Sequence, residues 1–284
     1  MKFAFIQAHD EEFDILRMGQ MLGVSRSGYY AWRQRPPSER ERANQELAQL
    51  IEAAHERSRG AYGSPRVHAE LKAQGRRVGH NRVARLMRLH GLQGRRRRCF
   101  KVTTQSKPSH PVAPNVLNQQ FDAKRPNEKW LADITYIATH EGWLYLAVVL
   151  DVYSRLIVGW AMGIRLEQEL VLRAVRMALH QRRPQAKLLH HSDRGSQYTA
   201  EKYHKLLAAY GITVSLSGTG NCYDNAMMES FFSTLKAECV TEPYATRAEA
   251  RRSVFDYIAV WYNRQRRHSA LGYVSSEAFE QAAS

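Results

Sequence analysis

Three runs of residues between Trp130 and Gly163 constrain the fold of this chain more than any other feature. They read LADITYIAT, WLYLAVVLDVY and RLIVGWAMG, each rich in β-branched and aromatic side chains that suit a pleated, half-buried surface. The breaks at Glu141-Gly142 and Ser154-Arg155 leave room only for tight turns, so the three are expected to pair antiparallel in chain order. Downstream the pattern alternates. A helix is expected from about Glu167 to Arg182, a strand at KLLHH, a helix from about Ala200 to Tyr210 and a last strand at ITVSL. This order builds one mixed five-stranded α/β sheet flanked by helices.

Upstream the texture is helical. Residues 14 to 33 predict two short helices about a turn at Gly23, with Ser25 as N-cap of the second. The string MLGVSRSGYYAW fits a helix-turn-helix and an ordinary helical hairpin equally well. After Pro36, Pro37 and Ser38, the stripe of Leu47, Leu50, Ile51 and Ala54 predicts a helix from about Asn44 to Arg57. YGSPRV sets Pro65 at another helix start and Gly75 marks its stop. His80 to Leu89 supplies one more, with Val83, Leu86 and Met87 inward and Arg82, Arg85 and Arg88 outward. Lys101 to Arg125 carries Pro108, Pro111 and Pro114 without sustained periodicity and reads as an extended linker.

The charge of the chain is concentrated. Lys and Arg number 42 against 27 Asp and Glu, and the stretch between Glu70 and Asp122 holds twelve Lys and Arg and no acidic residue. A positive field of that density favours a polyanion, because each neutralised phosphate releases counterions. Nucleic acid is therefore the expected partner, with Arg82, Arg85, Arg88, Arg95, Arg96, Arg97 and Arg98 as contacts. The expected organisation is an N-terminal helical region over 1–40, a helical DNA-binding region over 41–100, a linker over 101–125, and a catalytic core with a basic C-terminal extension over 126–284. Cys99, Cys222 and Cys239 form no C-x-x-C pair, so neither a disulfide framework nor a cysteine zinc site is indicated. The segment from Met1 to Ile6 is too short for a signal peptide, and the longest apolar run, Trp143 to Leu150, is too short for a bilayer. A cytoplasmic protein without a membrane partner is expected.

Three carboxylates stand out. Asp133 interrupts an apolar strand, where a charge is costly unless a cation or donor compensates it. Asp193 follows the strand Lys187 to His191, at the C-terminal end where α/β sheets bind ligands. Glu229 falls on a helix beginning near Asp224 or Asn225, about a quarter-turn from the stripe Met228, Phe232, Leu235 and Cys239, and in line with Asn225 and Lys236. Singly, these residues read as a buried structural Asp, a turn residue and a solvated helical Glu. Asp151, before a hairpin turn, suits a backbone cap, and His190 and His191 suit hydrogen-bonding scaffold at a strand end.

Their context changes that reading. Asp193 and Glu229 have 35 residues between them, a spacing that resembles the DD35E pattern of transposases and retroviral integrases. The strings WLADITYI, HHSDRGSQY and GNCYDNAMMESFFSTLKAE around the three acids, with HERSRGAYGSPRVHAELKAQG upstream and YNRQRRHSALGY near the end, resemble the second-reading-frame transposases of the IS-three family of bacterial insertion sequences. The resemblance covers residues 12 to about 279. It implies a ribonuclease-H-like core preceded by an all-α, helix-turn-helix-like DNA-binding region, and a metal-dependent enzyme that cleaves element ends and transfers strands. Asp133, Asp193 and Glu229 would bind two Mg²⁺ or Mn²⁺ ions, which need oxygen ligands and open positions for phosphate. Lys236 falls where integrases use a lysine to contact DNA, and Asn225 joins it as a DNA-contact candidate. The implied partners are double-stranded DNA, further copies of the chain in a synaptic complex, and a possible fusion to an upstream reading frame. The His2Cys2 zinc module of retroviral integrases is missing, since His55, His68, His80, His90 and Cys99 lack the paired cysteines, so no zinc is expected. A ribonuclease-H-like nuclease or resolvase without strand transfer, and a catalytically silent DNA-binding regulator, share much of this pattern.

Overall fold

A computed structural model describes residues 1–95, 113–185, 187–218 and 222–283. The chain divides into two compact units, Met1–Ile51 and Glu52–Ser284. In the first, α1 (Lys2–Ala8), α2 (Ile15–Leu22) and α3 (Arg26–Gln34) enclose a small core of Ile6, Met18 and Tyr29. Ser25 caps α3 by accepting the Gly28 N–H at 3.0 Å, and Gly23 takes φ of 62° in the preceding turn, a conformation that glycine adopts without strain. The sequence reading missed α1, which buries only Ile6 and so shows little periodicity.

Helix α4 (Glu39–Arg57) starts at Glu39 rather than near Asn44. Ser38 and Glu41 form a capping box: the Ser38 hydroxyl accepts the Glu41 N–H at 3.2 Å, and the Glu41 carboxylate accepts the Ser38 N–H at 2.8 Å. In the second unit, α5 (Ser64–Ala73) and α6 (His80–Leu89) pack together through Val67, Leu71, Val83, Leu86 and Met87, and α6 has the expected bounds.

The core sheet contains β1 (Lys129–Thr139), β2 (Gly142–Asp151), β3 (Ile157–Gly163), β4 (Leu189–Ser192) and β5 (Thr213–Leu216), in the spatial order β3-β2-β1-β4-β5. β1, β2 and β3 pair antiparallel, whereas β4 and β5 join parallel to β1. This is the ribonuclease-H-like order. One face carries Trp130, Ala132, Ala147, Val149 and Val158 against α7 (Gln168–Arg182) and α8 (Glu201–Ala209). Gly159 permits that packing, since a β-carbon there would meet the Ala174 carbonyl oxygen at 2.3 Å. Helix α9 (Ala226–Glu238) also packs on β1.

One part departs from expectation, and another adds elements that the sequence reading did not assign. The second half of the expected linker is docked on the core: Leu117 is buried, and the N–H groups of Val116 and Leu117 donate to the Ser215 hydroxyl at 2.9 and 3.1 Å. The basic C-terminal extension is structured, with α10 (Arg247–Asp256) running into a π-helical turn over Tyr257–Tyr262, and α11 (Ser276–Gln281) following. It is joined to the α5 region. The Tyr62 and Trp261 rings lie 5.6 Å apart, Arg267 pairs with Glu70 at 2.6 Å, and the Arg267 N–H donates to the Tyr62 hydroxyl at 2.7 Å. The sequence blocks around residues 62 and 267 are thus two halves of one packed seam.

Candidate active site at the sheet edge

The site begins where β4 ends. Ala132 and Ser192 are the last paired positions of β1 and β4, so Asp133 and Asp193 come next, side by side on adjacent parallel segments. Alternation puts Trp130 and Ala132 on the α7 and α8 face, which leaves Asp133 on the opposite side of the strand. Both acids are half-buried. Asp133 accepts the Ile134 N–H at 2.7 Å and Asp193 accepts the Gly195 N–H at 2.9 Å. Glu229 lies in the first turn of α9 and is exposed.

Electrostatics ties the three together. Burial, then the negative charge of Asp193, and further that of Glu229, push the Asp133 carboxyl well above the usual range, against the Ile134 hydrogen bond and the Lys236 charge. Burial also raises the Asp193 and Glu229 carboxyls. Among the described residues no three His, Cys, Asp or Glu side chains are drawn close enough to ligate one ion as they stand. The donor set nevertheless suits a hard divalent cation, being all oxygen and all anionic, and a cation would reverse the repulsion that raises Asp133.

The surroundings are rigid. His190 donates to or accepts from the Tyr203 hydroxyl at 3.1 Å, and His191 bridges Ser215 and Ser217 at 2.8 and 3.1 Å. Burial lowers these imidazoles to about 3 and about 4 respectively, so both are neutral scaffold, as the sequence suggested. Asp151 is a backbone cap, accepting the Asn127 and Tyr153 N–H groups at 2.7 and 3.0 Å, with Arg182 at 3.4 Å. Tyr198 is a residue that sequence reasoning passed over: its buried ring stacks edge-on with Tyr203, and its phenol is raised first by burial and then by the charges of Tyr203, Asp133 and Asp193. The only sequence signal was its place at the end of HHSDRGSQY.

The expected DNA contacts separate into classes. Lys236 is half-buried, with Nζ 4.8 Å from the centroid of the Tyr136 ring, and its charge reaches Asp133, so it borders the acidic site. Asn225 is a correction. It is only 6% exposed and its amide reaches the Ala132 carbonyl at 3.5 Å, so it joins α9 to β1 and does not present itself to solvent. On α6, Arg85 and Arg88 are exposed and Arg82 is half-buried. Arg95 donates to the Glu238 carbonyl at 2.9 Å and caps the end of α9. Arg96, Arg97 and Arg98 lie outside the described residues.

The Integrase core domain family matches residues 123–222 and again 210–275, and the HTH-like domain family matches residues 41–100. Over 283 residues the chain is 43% identical to the Transposase InsF for insertion sequence IS3A of Escherichia coli, covering 99% of this chain and 98% of that one. The chain belongs to the IS3 family of insertion-sequence transposases. An uncharacterized 31 kDa protein of insertion element IS600 from Shigella sonnei is 49% identical over 265 residues, covering 93% of this chain and 97% of that one. Among solved structures, the HTLV-2 integrase catalytic core domain in complex with magnesium is similar with a TM-score of 0.43 and 14% identity, over 56% of this chain and 99% of that one. In this transposase the HTH-like match falls on α4 to α6 and not on α2 and α3. The chain is a DDE-type polynucleotidyl transferase, and no helix among its described residues is long and apolar enough to cross a membrane.

Proposed function

We propose that this transposase cuts DNA at the ends of its element and joins them to new DNA through a site built on Asp133, Asp193 and Glu229. The observation that carries the reading is the strand register, which sets two repelling carboxylates next to one another with Glu229 in their field. Two Mg²⁺ or Mn²⁺ ions held by these acids would stabilise negative charge on the attacking and leaving oxygens. The protein's own contribution is to fix the acids: Asp133 on a central strand, Asp193 by its turn, and Glu229 on a helix packed against β1. Lys236 holds a positive charge beside them, suited to the DNA backbone. The exposed face of α6 supplies further backbone contacts through Arg85 and Arg88, with Arg82 alongside. Joining two element ends calls for at least two copies of the chain on DNA in the bacterial cytoplasm, with an upstream-frame fusion as one form of the enzyme.

The test is strand transfer from a pre-cut element end with Mg²⁺. Joined product is expected. Nicking without joining would mark a nuclease, and binding with neither reaction would mark a silent regulator.

A further inference from the structure

The HTH-like family match begins at residue 41, so it leaves α2 and α3 unassigned. These two helices nonetheless have the local build of a helix-turn-helix. Three residues, Gly23 to Ser25, connect them, and each helix has its own N-cap. The Asp14 carboxylate accepts the Leu16 N–H at 3.1 Å, and the Ser25 hydroxyl accepts the Gly28 N–H at 3.0 Å. The left-handed Gly23 ends α2, and the Val24 N–H returns to the Gly19 carbonyl at 2.9 Å. Position 19 needs glycine for this return, since a β-carbon there would lie 2.9 Å from the Val24 carbonyl oxygen. An ordinary hairpin of antiparallel helices buries matching positions along both lengths. Here full burial is confined to Met18 and Gly19 of α2 and Tyr29 of α3, all near the turn. Helix α1 supports α3 from one side, with the Phe3 ring stacked on Trp32 at 5.7 Å.

The other side of α3 is a coherent polar face. Ser27, Ala31 and Gln34 are exposed there, with Tyr30 half-buried among them, at positions i, i+3, i+4 and i+7 of one helical stripe. Arg26, also exposed, flanks the stripe with its guanidinium 5.7 Å from the centroid of the Tyr30 ring. Arg33 has a different task. It pairs with Asp10 at 3.3 Å, and the Tyr29 hydroxyl donates to the same carboxylate at 3.0 Å, so it braces the core. No acid lies on α3, because Asp10, Glu11, Glu12 and Asp14, the only acids of residues 1–38, all precede α2. The face therefore offers a cation and hydrogen-bonding groups without opposing charge, and the small Ala31 at its centre lets a surface approach closely. Arg and Gln are the side chains whose paired polar groups match the edges of guanine and adenine.

We propose that α2 and α3 form a DNA-reading module in which α3 enters the major groove and Arg26, Ser27, Tyr30 and Gln34 meet base edges. The module is separate from the HTH-like domain, where exposed Arg85 and Arg88 suit the DNA backbone. The chain then carries two DNA-contacting regions with different tasks, one for sequence and one for affinity. This rests on the transposase reading only for DNA as the partner, and it makes no use of Asp133, Asp193 or Glu229.

The experiment is selection of binding sites from a library of random duplexes by the full-length chain in EDTA, where no strand is cut. The selected duplex and a scrambled one are then titrated at one salt concentration. Wild type should enrich a defined sequence. Arg26→Ala and Gln34→Ala, both at exposed positions, should each weaken the selected duplex about 5- to 100-fold and the scrambled one far less. Arg26→Lys keeps the charge without the guanidinium fork, so it should bind the scrambled duplex as wild type does and still lose the preference, which also guards against misfolding of the alanine variants. A wild type that enriches no sequence, equal weakening of both duplexes, or an unchanged preference in both alanine variants would overturn the proposal. So would variants that alter only self-association, since α3 would then face a second copy of the chain. Strand transfer is not read here, so this proposal and the assignment of the three acids fail separately.

Discussion

The two ends of α9 treat buried charge in opposite ways. At its C-terminal end Glu238 is buried and fully matched, accepting three contacts from the Arg266 guanidinium and one from the Tyr257 hydroxyl at 3.0 Å. Burial alone would raise the Glu238 carboxyl, yet the Arg266 hydrogen bonds and charge hold it below the usual range. Near its N-terminal end Glu229 joins Asp133 and Asp193, all three raised by burial, with the charges of Asp193 and Glu229 adding to the rise at Asp133. A balanced buried charge is architecture, because its partner is built in. Acids raised in this way mark a candidate site, and in the proposed function their counter-charge would come from a divalent cation.

The largest effect that follows is on chemistry. Asn or Gln at Asp133, Asp193 or Glu229 should lower single-turnover cleavage on the order of 10³ or more while the circular dichroism spectrum stays unchanged. Near-normal Mg²⁺-dependent nicking by any one of them would remove that residue from the site. Next comes stability at the other end of the helix. Arg266→Ala leaves Glu238 buried without its cation and should cost about 3–5 kcal/mol in urea unfolding. An unchanged midpoint would mean that the pair is not structural.

The contrast sharpens with pH. Asp133 is raised in the folded chain above an unfolded value near 3.9, so the stability its protonated form confers is present below about pH 4 and lost as pH rises through the folded value. Without divalent cations Asp133→Asn should therefore be more stable than wild type at neutral pH, with the difference closing near pH 4. His190 runs the other way. Its folded value of about 3 lies below the unfolded 6.5, so its contribution is full above about pH 6.5 and falls with acidification by up to about 1.4 kcal/mol per pH unit. Denaturant midpoints from pH 4 to 8 would show both, and a wild type as stable as Asp133→Asn at pH 7 in EDTA would contradict the first.

The smallest effects concern the arginines of the helical region. Neutralising Arg85 or Arg88 should lower the salt slope of DNA binding by about one unit each, as exposed backbone contacts do. Arg95→Gln should change stability more than slope, because Arg95 caps the end of α9. Equal slope changes at all three would return Arg95 to the DNA-facing set.

Much of the fold was legible because strand periodicity and turn residues are local signals, which is why β1 to β3, α6 and α7 fall where expected. The three acids of the proposed site were singled out by spacing and flanking strings, and the register of β1 and β4 sets two of them side by side. The seam was not, since Tyr62 and Glu70 meet Arg267 across about two hundred residues, and no local pattern in RAEARRSVFDYIAVWYNRQ announces such a partner. Asn225 was misplaced for a geometric reason. It sits in a 3-10 turn, Cys222–Asn225, ahead of α9, so projecting it at 100° per residue set it beside Glu229 when its side chain turns in toward Ala132.

If divalent metal completes Asp133, Asp193 and Glu229, Mg²⁺-dependent thermal unfolding of the full-length chain shows it most directly. Wild type should gain stability with Mg²⁺, by about 2.7 kcal/mol at a hundredfold excess over Kd. Asp133→Asn and Asp193→Asn, relieved of repulsion, should start higher without metal and respond little. A Mg²⁺ response in both variants equal to that of wild type would contradict the account.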